Sequence, residues 1–177
     1  MNERADDIWI FAYGSLMWRP GFDHEAMAPA LLRGYHRSFC VYSVHYRGTP
    51  ERRGLVLGLD RGGACRGMAI RLRAGDEPAV LAYLDKREQV TMVYLRRQIP
   101  NHLDDGRRVL AWSYVVDRQH DQYAAGLDPA HMAEIIRGAS GYSGQNREYL
   151  ASTLEHLTES GVQDQRLERL LELVDGG

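Results

Sequence analysis

Residues 7–13 (DIWIFAY) are apolar on both alternating faces, with Ile8, Ile10 and Ala12 on one side and Trp9, Phe11 and Tyr13 on the other. Side chains alternate across a strand, so this pattern predicts a strand buried on both faces, central in its sheet. Gly14 and Ser15 interrupt it, and the stretch through Pro20, Gly21 and Pro29 reads as loop with room for one short helix. Strand-like alternation returns over residues 33–46, stops at Gly48 and Pro50, and resumes over 54–59 and 65–72. Residues 60–63 (DRGG) between the last two runs have the composition of a hairpin connection.

The period then changes. Asp76 is a candidate N-cap with Glu77 and Pro78 in the first turn, and Val80, Leu81 and Leu84 follow at helical spacing, which predicts a helix over roughly residues 77–87. Residues 94–99 and 109–116 read as a second strand pair joined across Asp104, Asp105 and Gly106. The remainder is helical. Asp128 caps a helix with Pro129 behind it, Met132, Ile135 and Ile136 as its buried stripe and Gly138 as its stop. Leu150, Leu154 and Leu157 mark the next helix, up to Gly161, and Leu167, Leu170, Leu171 and Val174 mark the last. Strands around one embedded helix, followed by a helical C-terminal part, predict an α+β fold with a curved mixed sheet or a small β-barrel.

Composition narrows the function. The 177 residues suffice for one hydrophobic core and are short for two, so residues 1–177 are read as a single domain. A net charge of −2, from 22 basic and 24 acidic residues, leaves no excess positive field for phosphates, which argues against nucleic acid or an anionic membrane as partner. No apolar run approaches the ~20 residues of a membrane span. The opening residues 1–7 are polar rather than a basic segment followed by an apolar one, so the expected location is cytoplasmic. Cys40 and Cys65 are too few for a disulfide framework and are read as reduced, half-buried side chains. The seven histidines lack H-x-x-x-H or C-x-x-C companions, which predicts no metal site. Ser15 lacks a G-x-S-x-G elbow, and no P-loop or G-x-G-x-x-G is present, so serine hydrolysis and nucleotide binding fall as well. Chemistry on a small molecule is the better expectation.

Four features could carry that chemistry. Tyr13-Gly14-Ser15-Leu16 follows the central strand, and a glycine there lets successive N–H groups turn outward toward an anion; an ordinary strand-ending turn has the same composition. Glu88 continues the stripe Val80, Leu84 at i, i+4, i+8, which places a carboxylate among apolar positions. Desolvation, the like charge of Asp85 at i−3 and the helix C-terminus raise its pKa, whereas Lys86 and Arg87 lower it; a structural ion pair with an arginine is the competing role. Residues 141–146 (GYSGQN) form a glycine-bounded turn opening a helix, with Ser143 or Asn146 as N-cap, and Tyr142 is the residue capping does not explain. Arg47 leaves a strand at the Gly48 turn and could grip a carboxylate by a bidentate pair or stay solvated.

Together these residues resemble the ChaC family, the glutathione-specific γ-glutamylcyclotransferases within the wider γ-glutamylcyclotransferase-like fold. The resemblance is carried by IFAYGSLMWRPGF at 10–22, YRGTPERRGLVLGL at 46–59, CRGMAIRL at 65–72, YLDKRE at 83–88 and GYSGQNREYL at 141–150. It implies Glu88 as catalytic acid/base, the loop Tyr13, Gly14, Ser15 and Leu16 against the γ-glutamyl group, and Tyr94 and Tyr142 as pocket-lining aromatics. Residues 89–93 depart from the glycine-rich stretch of many relatives, and residues 126–130 (GLDPA) match their Leu-Gly-Pro-Ala segment in part.

The implied reaction converts glutathione to 5-oxoproline and cysteinylglycine without metal or cofactor, since the substrate's own α-amine attacks its γ-carbonyl. Arg47 is the candidate partner for the terminal glycine carboxylate of glutathione. Two alternatives are a cyclotransferase for other γ-glutamyl amino acids or amines, and a non-catalytic regulatory protein of cation transport that senses a γ-glutamyl ligand. Retention of Glu88 argues against the last, because a sensor needs no base.

Overall fold

The computed structural model describes residues 7–88 and 91–177; the polar opening at 1–6 and residues 89–90 of the departing stretch lie outside the described residues. The chain forms two compact units, one of Met1–Arg37 with Leu59–Val116, the other of Ser38–Gly58 with Asp117–Gly177.

The fold is α+β, and the first unit holds most of a closed five-stranded barrel of order β1 (Trp9–Ala12), β3 (Gly54–Arg71), β2 (Ala26–Ser43), β4 (Tyr94–Leu103) and β5 (Arg108–Val116). Strand β1 (Trp9–Ala12) is the predicted central strand: all four residues are buried, Trp9 faces Arg71 of antiparallel β3 on one side and Ala111 of parallel β5 on the other. Strands β4 (Tyr94–Leu103) and β5 (Arg108–Val116) pair antiparallel from Tyr94–Val116 to His102–Arg108, turning at Gly106. Helix α1 (Glu77–Glu88) buries Val80, Leu81 and Leu84 as the spacing requires. Two side chains of β5 hold it. Trp112 Nε1 donates to Glu77 at 3.0 Å, and the Tyr114 hydroxyl donates to Asp85 at 2.6 Å.

Strand β2 (Ala26–Ser43) begins before the predicted start at residue 33, and Pro29 lies inside it. Proline is tolerated in a strand where its missing N–H is not needed by the ladder; here its carbonyl accepts from Asp104 N at 3.1 Å. Residues 60–63 are not a hairpin. They lie within one continuous strand, β3 (Gly54–Arg71), because Gly62 and Gly63 adopt φ of +102° and +69°, which bends a strand as a bulge does without reversing it. His36 Nδ1 donates to the Gly62 carbonyl at 2.9 Å across that bend.

The second unit is mainly helical, with α2 (Pro129–Gly138), α3 (Asn146–Glu159) and α4 (Gln165–Asp175). Of the predicted core, Ile136, Leu150 and Leu157 are fully buried and Leu154, Leu167, Leu170 and Val174 nearly so, whereas Met132, Ile135 and Leu171 are half-buried and Ala133 takes the inner position of α2 beside Ile136. Asp128 caps α2 by accepting from His131 N at 2.8 Å. Between α2 and α3 the chain makes a small hairpin, β6 (Ser140–Gly141) with β7 (Gly144–Gln145). Asn146 does not cap α3. It is fully buried, its Oδ1 accepts from Leu55 N and its Nδ2 donates to Leu55 O, both at 2.7 Å, so the side-chain amide pairs with β3 as a neighbouring strand would. A Cβ on Gly48 would collide with the backbone nitrogen of Gly54, and one on Gly141 with the His45 carbonyl, so three backbone segments touch where only glycine fits.

No helix among the described residues is long and apolar enough to cross a membrane.

Candidate active site

The loop after β1 forms one turn of 3₁₀ helix over Ser15–Met17. Its backbone bonds run from Met17 N to Gly14 O at 2.9 Å and from Arg19 N to Ser15 O at 2.7 Å, so the earlier N–H groups of Ser15 and Leu16 take no part inside the turn. Tyr13, Gly14 and Leu16 are buried, and Ser15 is exposed. Arg37, on β2 and only 5% exposed, donates from Nε to the Tyr13 carbonyl at 2.6 Å and from Nη2 to Arg66 O at 2.7 Å. In a trans peptide the C=O and the next N–H point in opposite directions, so fixing the Tyr13 carbonyl also sets the direction of Gly14 N–H. Sequence reading overlooked Arg37. The available signal was a cation inside an otherwise apolar strand pattern.

Glu88 stands one turn beyond Leu84 on the buried stripe of α1 and keeps 20% of its side chain exposed. Burial disfavours its charge and raises its pKa above the ordinary value, while Arg87 pulls in the opposite direction. The like charge expected to help, Asp85, faces other partners: its carboxylate accepts from Arg96 Nη1 at 2.6 Å and from the buried Tyr114 hydroxyl at 2.6 Å. Burial of that phenol and its bond to Asp85 push the Tyr114 pKa well up. Desolvation, then, and not a neighbouring carboxylate, is what raises Glu88.

Arg87 joins α1 to the loop. Its Nη2 donates to Ser15 Oγ at 2.8 Å, its Nη1 to Arg19 O at 2.9 Å, Pro20 O at 3.3 Å and Tyr83 Oη at 3.2 Å, and its Nε lies 3.5 Å from Glu88 Oε1. Ser15 of the predicted loop and Glu88 of the predicted stripe are thereby tied to the same guanidinium. Tyr94 belongs to the same unit, half-exposed at the start of β4 opposite Val116.

Arg47 and Tyr142 belong to the second unit. Arg47 donates from Nη1 to Ser143 O at 2.7 Å and to Gln145 O at 3.3 Å, with its guanidinium 5.2 Å from the centre of the Tyr149 ring. The turn it holds carries Tyr142, 83% exposed and stacked on His45 at 5.4 Å between centroids. Tyr142 N and Ser143 N also donate to the carbonyls of His45 and Tyr46, at 2.8 and 2.9 Å. No group of three or more His, Cys, Asp or Glu suited to a metal occurs among the described residues.

Residues 8–176, which include every one of these side chains, match the family model described as ChaC-like protein. The chain belongs to the ChaC-like family. Relatives include a glutathione-specific γ-glutamylcyclotransferase from Escherichia coli, 38% identical over 164 residues with 93% of this chain and 71% of the relative covered. Another of the same name, from Schizosaccharomyces pombe, is 33% identical and covers 85% of this chain and 84% of its own. A crystal structure of a γ-glutamyl cyclotransferase specific to glutathione from yeast superposes with a TM-score of 0.84 at 23% identity, over 97% of this chain and 99% of that one. The barrel, embedded helix and C-terminal helices are thus the architecture of a ChaC-like protein.

Proposed function

We infer that the chain is a glutathione-specific γ-glutamylcyclotransferase, a carbon–nitrogen lyase that converts glutathione to 5-oxoproline and cysteinylglycine, with Glu88 as general acid/base. The observation that carries the reading is Glu88: a carboxylate whose charge burial disfavours, tied through Arg87 to the loop after β1, in a chain of the ChaC-like family.

The chemistry needs a curled substrate, a free amine and a protonated leaving group. Glu88 takes a proton from the α-ammonium; the freed amine attacks the γ-carbonyl carbon and closes a five-membered lactam. As the bond from that carbon to the cysteinyl nitrogen breaks, Glu88 gives its proton to the departing nitrogen, then takes the second proton that the attacking nitrogen must lose to become the lactam N–H, and is restored by releasing it to water. A carboxylate with a raised pKa suits both halves, and such a proton carrier contributes roughly 10²- to 10⁴-fold. Holding the glutamyl chain in its curled form supplies orientation worth on the order of 7 to 11 kcal/mol. The loop Tyr13, Gly14, Ser15 and Leu16 binds the γ-glutamyl group, with N–H groups toward its oxygen atoms. Tyr94 is the candidate pocket-lining aromatic of the first unit, and Tyr142 that of the second, on the turn that Arg47 holds. Every bond made or broken lies within the substrate, so the reaction asks for no cofactor.

The family match runs through both units, which supports reading residues 1–177 as one domain. Glutathione as substrate, a thiol abundant where thiols are kept reduced, favours a cytoplasmic setting.

The test is incubation of purified protein with glutathione and, separately, with a γ-glutamyl dipeptide, followed by chromatographic quantitation of products. Equimolar 5-oxoproline and cysteinylglycine from glutathione, absent with Glu88→Gln, is the expected result. Faster turnover of the dipeptide would move the substrate to other γ-glutamyl amino acids, and no 5-oxoproline from either would sink the reading.

A further inference from the structure

We propose that Arg87 is a positioning residue, a rigid spacer whose fork sets the distance and angle between the loop at residues 15–20 and the Glu88 carboxylate. The proposal rests on the reading of Glu88 as acid/base and extends it to how the base and the γ-glutamyl loop are kept in register.

The argument is geometric. A guanidinium is planar and presents its donors in fixed directions. In Arg87 the two terminal nitrogens face the loop, reaching Ser15 Oγ at 2.8 Å, Arg19 O at 2.9 Å and Pro20 O at 3.3 Å. The remaining nitrogen faces Glu88, with Nε 3.5 Å from Oε1. One rigid plane therefore has the loop on one edge and the carboxylate on another. The side chain is itself held: Tyr83, one turn earlier on α1, offers its hydroxyl to Nη1 at 3.2 Å, and that hydroxyl packs on Gly21, where a Cβ would collide with it. The residues bridged are 72 positions apart in the chain for Ser15, and adjacent for Glu88.

A surface arginine serving only as a counter-charge would need one contact with Glu88. Arg87 instead makes its shorter bonds with uncharged oxygens of the loop and its longest with the carboxylate. The hydroxyl and the two carbonyls are neutral acceptors engaged from two separate nitrogens, Nη2 on the hydroxyl and Nη1 on the carbonyls. A lysine would keep the positive charge and lose the fork, which separates the two roles by experiment.

Three variants, Arg87→Met, Arg87→Lys and Glu88→Gln, are compared with wild type in steady-state kinetics on glutathione and in hydrogen exchange read by mass spectrometry. Loss of charge-assisted bonds of this kind weakens binding about 10-fold or more. Both Arg87 variants should raise KM for glutathione by about that factor, with Lys giving no rescue, and should speed exchange in the peptide containing Met17 and Arg19. Glu88→Gln should remove turnover while leaving that exchange as in wild type. Recovery of wild-type KM by Arg87→Lys would overturn the spacer, because charge alone would then suffice. Unchanged exchange at Met17 and Arg19 in Arg87→Met and Arg87→Lys would overturn it independently of activity. A wild-type protein that forms no 5-oxoproline, yet whose loop loosens in both Arg87 variants, would remove the catalytic reading and leave the positioning role of Arg87 standing. If Arg87→Met fails to fold, the Lys variant alone decides both points.

Discussion

Arg87 and Arg47 perform the same mechanical task in the two units of this protein. Each guanidinium reaches backbone carbonyls of a loop distant in sequence, Arg87 at Arg19 O (2.9 Å) and Arg47 at Ser143 O (2.7 Å). What stands beside them differs. Next to Arg87 is a carboxylate whose charge burial disfavours; on the turn held by Arg47 is an exposed tyrosine stacked on a histidine. Hydrogen bonding to a loop is therefore no mark of a reactive centre by itself. The mark is a group whose ionised form is made less favourable by its surroundings, because only such a group is ready to exchange a proton near neutral pH. The first region is the proposed place of proton transfer, and the second is a turn that presents an aromatic ring.

The comparison breaks first at Glu88. Glu88→Gln keeps the shape and removes the proton carrier, so kcat should fall by roughly 10²- to 10⁴-fold, and residual turnover within threefold of wild type would take Glu88 out of the mechanism. The same variant has a stability signature. A carboxyl with a raised folded-state pKa stabilises the fold below its unfolded pKa and loses that contribution as pH rises through the folded value. Thermal melts from pH 4 to 8 should therefore show Glu88→Gln gaining on wild type as pH rises; a variant that loses ground instead would mean Glu88 is a structural ion pair.

The scaffold reading of the second region is tested at Asn146. Asn146→Ala leaves the N–H and C=O of Leu55 without their side-chain partner in a buried setting, and each unsatisfied group costs about 1 to 3 kcal/mol. Urea unfolding should show a loss of that order, and a change below about 0.5 kcal/mol would show that the clamp is dispensable.

A sharper contrast lies in pH. With burial raising Glu88 and Arg87 lowering it, Arg87→Met should move the acid limb of kcat/KM to higher pH. An unmoved limb would show that the limb does not report Glu88. No such movement is expected for Arg47→Ala or Tyr142→Ala. These should raise KM for glutathione by about 2- to 10-fold with kcat nearly constant, as uniform binding losses do, and Arg47→Ala alone should also lower the melting temperature because it releases the turn. Equal melting temperatures for the two would deny Arg47 its holding role. The smallest expected effect is that of a chelator: EDTA should leave turnover unchanged, and a loss restored by one divalent ion would overturn the cofactor-free scheme.

The sequence by itself determined what depends on near neighbours. Alternation in residues 9–12 made β1 a buried strand, and the i, i+4, i+8 spacing of Val80, Leu84 and Glu88 put a carboxylate on a buried stripe, because side-chain direction in a strand or helix follows from local backbone geometry. Asp128 was legible as a cap for the same reason. The motif blocks added the family and through it the reaction. Only the tertiary structure decided which partner each polar group meets. Asp85 was expected to repel Glu88 from one turn away, but Arg96 and Tyr114, brought in by β4 and β5, occupy its oxygens. Residues 60–63 had the composition of a turn, and the left-handed glycines there bend one strand through the barrel instead. Asn146 looked like a cap and pairs with Leu55, 91 residues away. Hydrogen bonds and desolvation act over a few ångströms of space, whatever the separation along the chain. The folded arrangement therefore sets which carboxylate, Asp85, is held by a cation and a hydroxyl and which, Glu88, has its charge disfavoured by burial.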